Sequence, residues 1–470
     1  MKRPEGRELR SNIFFSMGAQ AVHLLVSLIL SMIVPKFIDE YQYAYWQMYV
    51  LYVSYVGIFH FGLLDGIMLR YARFDYDELD KKTMRSQFVL ILCLTGAAAA
   101  VTGILAAIFA PGVYRTVFLL VAAGAVTKNI YTYASYTFQI TNRIRFYAGV
   151  TLANRAVCGA LVVLFLLLGL NDFLWYAMAD LAADLLSVLF FLRPNREVYL
   201  GSLRSPEEAL AEGKTNISAG WLLLIANFSS MLMIGGAKMV TQWHWDDLTF
   251  GKVSFAFSVS NLFLVFVSAI SVVLFPAIKR TPEAELPRVY RRLRRLISLV
   301  LTAVLIFYFP GCFILELWLP NYAPSLRYLG LLLPLVLYSS KVSLLTDNYL
   351  KAYMQQKKMF LINLVTLGLA MLLFLSGAFL FDSLETVLIG VVVCIGIRAV
   401  WSEAEVMKLL GQSGLAGWLW EAGLTAAFIL CAMRLPLWIG CAVYAACLLA
   451  YGAFDLWTAR REKKDPGGAA

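Results

Sequence analysis

Six charged residues lie in the middle of long apolar stretches, namely Lys128, Arg155, Asp180, Asp184, Lys341 and Arg398, and a seventh, Asp65, lies near the end of one in "FGLLDGIMLRYA". An ionisable side chain at the centre of a bilayer costs about 2.5–3.5 kcal/mol on insertion scales, so it faces protein or water and often marks an ion or substrate path. Carboxylates in such a place can exchange a proton or hold a cation. Cations can hold an anionic headgroup such as a diphosphate through charge-assisted hydrogen bonds.

Asp180 and Asp184 are four residues apart and share one helical face. Arg155 sits at comparable depth on the preceding antiparallel segment, and the expected arrangement is an ion pair that locks the two segments. The alternative is a carboxylate that titrates during a transport cycle. Lys128, Lys341 and Arg398 have no partner nearby in sequence. Cations of that kind suit an anionic ligand, unless other helices supply their counter-ions.

The elements that position these groups follow from composition. With 60% hydrophobic, 14% aromatic and 15% charged residues in 470, the chain has too much apolar surface for a soluble core. A bilayer-spanning helix takes about 20 mainly apolar residues. About fourteen such stretches can be marked: 12–34, 43–68, 87–111, 116–139, 143–170, 172–193, 216–240, 252–278, 296–319, 325–350, 358–381, 385–409, 415–434 and 436–457. The expected fold is therefore an all-α integral membrane protein.

Thirty of the forty Lys and Arg residues fall on one side of this layout, the side that also holds both termini. Positive segments stay cytoplasmic, so both termini are expected inside, in a multi-pass protein of the cytoplasmic (inner) membrane. The net charge of +10 then reads as an orientation signal with contact to anionic membrane lipids, and no nucleic acid is needed to explain it. "MKRPEGRELRSN" runs into a full-length apolar segment without a small-residue cleavage site, which suggests a retained signal anchor. All seven cysteines lie inside predicted helices, without the spacing of a metal site.

The chain repeats itself weakly. "RSNIFFSMGAQ" opens one half and "KTNISAGWLLL" the other, with Asn12 and Asn216 in matching places. Each half holds six spans, an even number, so the two are parallel repeats related by an axis along the membrane normal. The expected organisation is an N-terminal lobe over 1–193, a linker over 194–215, a C-terminal lobe over 216–409, two further helices over 410–457 and a tail over 458–470. Polar stripes support a path between lobes. The first span carries Asn12, Ser16, Gln20, His23, Ser27 and Ser31 at helical spacing, the second Gln47, Ser54 and Asp65, the seventh Asn216, Asn227 and Lys238, and the eighth Ser254, Ser258, Asn261 and Ser268. Helix packing through small polar residues is the plainer account of any one stripe. His60 lies off the second stripe, and a packing role is the expectation for it.

The opening "RSNIFFSMGAQ", the aromatic start of the second span, its "FGLLDGIMLRYA" end and the plan of twelve plus two helices resemble the polysaccharide (Wzx-type) flippases. Their superfamily also holds lipid II flippases and multidrug extruders. The likeness is best over the first 90 residues, and Ala44 stands where the family usually has a glycine. It implies a two-lobed bundle with a central cavity lined by the first, second, seventh and eighth helices. It also implies a polyprenyl-diphosphate-linked glycan as substrate. No cofactor is expected, H⁺, Na⁺ and the membrane potential stay open as the driving force, and other polysaccharide assembly proteins are candidate partners. On this reading Asp65 forms a gate with Arg70 or Arg280. A cation-coupled drug antiporter, relying on Asp65, Asp180, Asp184 and Asp347, is the nearer alternative. A membrane glycosyltransferase or polymerase is the more distant one, because no loop on the outer side is long enough to present a catalytic site.

Overall fold

The computed structural model describes residue 18 and residues 21–72, 74–280, 282–412 and 415–464. Among these, the regular structure is helical throughout: α1 Ala21–Phe37, α2 Glu40–His60, α3 Leu63–Tyr71, α4 Lys81–Phe109, α5 Gly112–Ile140, α6 Ile144–Leu167, α7 Phe173–Phe190, α8 Pro206–His244, α9 Asp247–Arg280, α10 Leu286–Trp318, α11 Pro320–Leu332, α12 Pro334–Ala352, α13 Gln356–Phe379, α14 Leu384–Leu410, α15 Leu415–Arg434 and α16 Leu437–Lys464. Eight of these helices are long and apolar enough to cross a membrane, and two bent pairs, α2 with α3 and α11 with α12, bring the number to ten. Within the described residues, each of the fourteen expected spans falls on one of these helices or bent pairs. The protein is a multi-pass membrane protein.

Start signals written in the sequence set several boundaries. Asp39, Asp80, Asp172 and Ser383 each accept a hydrogen bond from a backbone N–H in the first turn of α2, α4, α7 and α14, groups that a helix leaves unsatisfied. The start of α8 is the clearest departure from expectation, at Pro206 instead of 216. Ser205 and Glu208 bond reciprocally to each other's backbone N–H at 3.3 Å, and Pro206 takes the first helical position. This capping box extends the apolar span backwards through "PEEALAEGK", which hydropathy alone leaves in a linker.

The 62° break between α2 and α3 comes from Phe61 and Gly62, both with positive φ, 51° and 86°. At the 41° bend between α11 and α12, Pro334 lacks the N–H that would continue the helix.

Contacts divide the molecule into two units. The first runs to Met231 and takes in Asp246–Gly251, while the second holds Leu232–Trp245 and the chain from Lys252 onward. In the first unit, α4 with α5 and α6 with α7 form antiparallel hairpins, and α2 packs on α5 and α7. The short α3 inserts Leu63, Leu64 and Ile67 against Met84, Ile91 and Tyr133. It also meets α8 backbone to backbone: a methyl group added at Gly66 would overlap the carbonyl of Asn216, and one at Gly220 would overlap that of Gly62. Glycines permit this approach where any side chain would hold the helices apart. In the second unit, α13 with α14 and α15 with α16 are hairpins, and α14 packs on α11 and α12.

Candidate functional site

The break at Gly62 turns α3 so that its first turn carries Asp65 inward, where the carboxylate is 5% exposed. Gly62 N–H donates to His60 Nδ1 at 3.1 Å, which leaves the proton of the neutral ring on Nε2, 3.9 Å from Asp65 Oδ2. Arg70, five residues on, points elsewhere: it bonds Glu212, which also accepts from Tyr71 at 2.6 Å, and Asn216. The expected gate between Asp65 and Arg70 is therefore absent. Helix geometry explains this, because residues five apart lie on different faces of a helix. The Arg280 side chain falls outside the described residues.

Asp65 and His60 border a cavity of about 520 Å³ inside the first unit. Its wall also holds Lys128 of α5, Arg155 of α6, Asp180 and Asp184 of α7 and Asn227 of α8. Six expected site residues thus meet in one place. Proximity in three dimensions adds His60, which the stripe argument set aside because an ideal helix places it off the arc of Ser54 and Asp65; the 3₁₀ turn Val56–His60 and the break depart from that helix, and His60 lines the cavity.

Lys128 has the partners that local sequence did not reveal. Its Nζ stands 2.8 Å from Asp180 and 3.0 Å from Asp184. Tyr49 donates to Asp180 at 2.9 Å and Asn154 to Asp184 at 2.9 Å. The expected pairing of both carboxylates with Arg155 is thereby replaced. The α5–α7 contact brings Lys128 onto the Asp180/Asp184 face, and Asn154, the neighbour of Arg155, takes the α6 position beside Asp184. Arg155 lines the cavity without an ion pair among the described residues. His23 of α1 is within electrostatic range of it.

Lys341 belongs to the second unit and is also paired, against expectation. It is 2% exposed and lies 2.8 Å from Glu403 and 2.6 Å from Glu421, while Arg294 bonds the other oxygen of Glu403 and Ser298 donates to Glu421 at 2.6 Å. Two cations and two carboxylates close this cluster across α10, α12, α14 and α15. Sequence reading missed Glu403 and Glu421 because each lies close to the end of an apolar run, where charge is ordinary. Arg398 interacts electrostatically with Asp347, and its Nε is buried without a hydrogen-bond partner.

Gln47 is buried at 4% exposure without lining the cavity, and Asn261 is on the surface of α9. Asn12 and Gln20 lie outside the described residues. Among the described residues, no three His, Cys, Asp or Glu side chains are grouped to hold a metal ion.

No protein-family model and no curated protein sequence matches the chain. Solved structures do. A lipid II flippase MurJ in an inward closed conformation is similar over 94% of this chain and 98% of its own, with TM-score 0.66 and 11% identity. An inward-facing MATE multidrug resistance transporter of the MOP superfamily is similar over 86% of this chain and all of its own, with TM-score 0.62 and 14% identity. A MOP superfamily transporter from Pyrococcus furiosus, described by a binding pocket of reverse polarity, gives TM-score 0.53 at 13% identity over 86% of this chain and 95% of its own. The chain has the fold of these transporters.

Proposed function

We propose that the protein is a flippase that carries a polyprenyl-diphosphate-linked oligosaccharide from the cytoplasmic to the outer leaflet by alternating access, in the service of cell-surface polysaccharide synthesis. The observation that carries this reading is the cavity within the first unit, where Arg155 offers its guanidinium without an ion pair beside the Lys128 network. A planar guanidinium binds phosphoryl oxygens bidentately. The cavity, about 520 Å³, is within the range that holds a small ligand. It suits the diphosphate and adjoining sugar, with the polyprenyl tail remaining in lipid. The fold shared with a lipid II flippase agrees with a lipid-linked substrate.

A second reading has its own observation. Asp65, Asp180 and Asp184 outnumber Lys128 and Arg155 on the same wall, and an excess of carboxylate favours a cationic drug or a coupling cation. The test is the pool of lipid-linked glycan in cells deleted for the gene, sized beside strains complemented with wild-type protein or with Arg155→Gln. Accumulation of the complete lipid-bound repeat unit in the deletion and the Arg155→Gln strains is the expected result. An unchanged pool together with lost efflux of cationic dyes would replace flipping by drug antiport.

A further inference from the structure

The outward face of α10 changes character within one turn. Arg288, Arg291 and Arg292 are exposed, and the same stripe continues as Leu296 at 56%, Val300 at 49% and Phe307 at 62% exposure. Arg288 and Arg291 are three residues apart, and Arg292, Leu296, Val300 and Phe307 follow at steps of four, four and seven, which keeps these side chains on one side of the helix. The opposite side is Leu286, Tyr290, Ile297, Ser298 and Leu301, all buried in the second unit.

Four of the five arginines of the segment have a distinguishable place. Arg294 turns inward to Glu403. Arg288, Arg291 and Arg292 have no ion pair among the described residues. An apolar stripe of this length, exposed on a membrane protein, faces lipid tails. The point where it gives way to three guanidinium groups is therefore the level at which tails end and headgroups begin.

We infer that Arg288, Arg291 and Arg292 form a binding site for the headgroup of an anionic phospholipid, whose acyl chains lie along Leu296, Val300 and Phe307. Phosphate oxygens accept from the guanidinium forks, and a net negative headgroup supplies the counter-charge that the protein withholds. The apolar continuation distinguishes this face from a site for a free anion or an acidic protein, neither of which would cover it.

The test uses the full-length protein in detergent, titrated with a short-chain phosphatidylglycerol or phosphatidylcholine and read by native mass spectrometry as lipid bound per chain. Each basic residue near an anionic surface contributes about fivefold in affinity. Accordingly, Arg288→Gln, Arg291→Gln and Arg292→Gln together are expected to lower phosphatidylglycerol affinity by about tenfold or more, with phosphatidylcholine binding unaffected. The exposed pair Arg193→Gln and Arg196→Gln, on the turn after α7, is the control and is expected to leave that affinity unchanged. Equal phosphatidylglycerol affinity in wild type and the triple variant would overturn the site. So would an equal loss in the control pair.

Discussion

Lys128 Nζ stands between two carboxylates, 2.8 Å from Asp180 and 3.0 Å from Asp184, and Asp184 is buried. Removing the ammonium alone leaves two like charges facing each other in a cavity wall. Breaking a buried ion pair from one side costs about 3–5 kcal/mol, so Lys128→Met is expected to lower thermal stability markedly. Adding Asp180→Asn and Asp184→Asn should restore most of it. A triple variant no more stable than Lys128→Met would show that the ammonium is not the counter-charge of this pair.

Arg155 makes no comparable pair, so Arg155→Gln is expected to melt within about 0.5 kcal/mol of wild type. Its effect should fall on transport. Loss of one charged hydrogen-bonding group costs about 1.5–3 kcal/mol, roughly ten- to a hundredfold in affinity for a phosphoryl ligand. Clearance of the lipid-linked glycan in complemented cells measures it, and Arg155→Lys should recover part of the activity. Wild-type clearance by Arg155→Gln would remove the residue from substrate binding.

The approach of α3 to α8 leaves no room for a methyl group at Gly66, since the neighbour is the Asn216 backbone and not a flexible side chain. Gly66→Ala should therefore destabilise by about 1–3 kcal/mol or more, the cost of overpacking. Gly57→Ala meets only His60 Nε2, 3.9 Å away, and serves as control. Equal melting temperatures for the two variants would contradict this packing.

In the second unit, Lys341→Met strands Glu421 and leaves Glu403 with Arg294 alone, both carboxylates being almost fully buried. The expected loss is about 3–5 kcal/mol. Lys341→Met with Glu421→Leu should lose less, since Arg294 still compensates Glu403. A double variant weaker than the single one would mean that Glu421 holds α15 by some contact other than Lys341.

Asp80 is partly desolvated, which opposes ionisation, yet hydrogen bonds from Arg204 and Thr83 hold its carboxyl down at about 2. A depressed carboxylate contributes its stability above its unfolded value, about 3.9. That contribution fades as pH falls from there through about 2. Wild type should thus lose an increment of stability between these values that Asp80→Asn lacks, and parallel melting-temperature curves across that interval would refute it.

How much could be read in advance differs from residue to residue. Asp180 and Asp184 were legible as a pair because four residues is one helical turn, and Lys128 was legible as a charge that needed a reason. That the three belong together was not, because the α5–α7 contact joins positions more than fifty residues apart. Glu403 and Glu421 left no signal, since a carboxylate near the end of an apolar run resembles any interfacial charge. The start of α8 was written in Ser205 and Glu208 as a capping box, but hydropathy gives it no weight.

The sequence by itself determined that this chain lives in a bilayer and where its helices run, because apolar length and capping chemistry are local properties. Tertiary structure decided which charges are spent on each other and which line the cavity without an ion pair among the described residues. Pairing depends on distances between helices remote in the chain, and those are set by packing, here by the glycines that bring α3 against α8 and by the break that turns Asp65 toward the cavity.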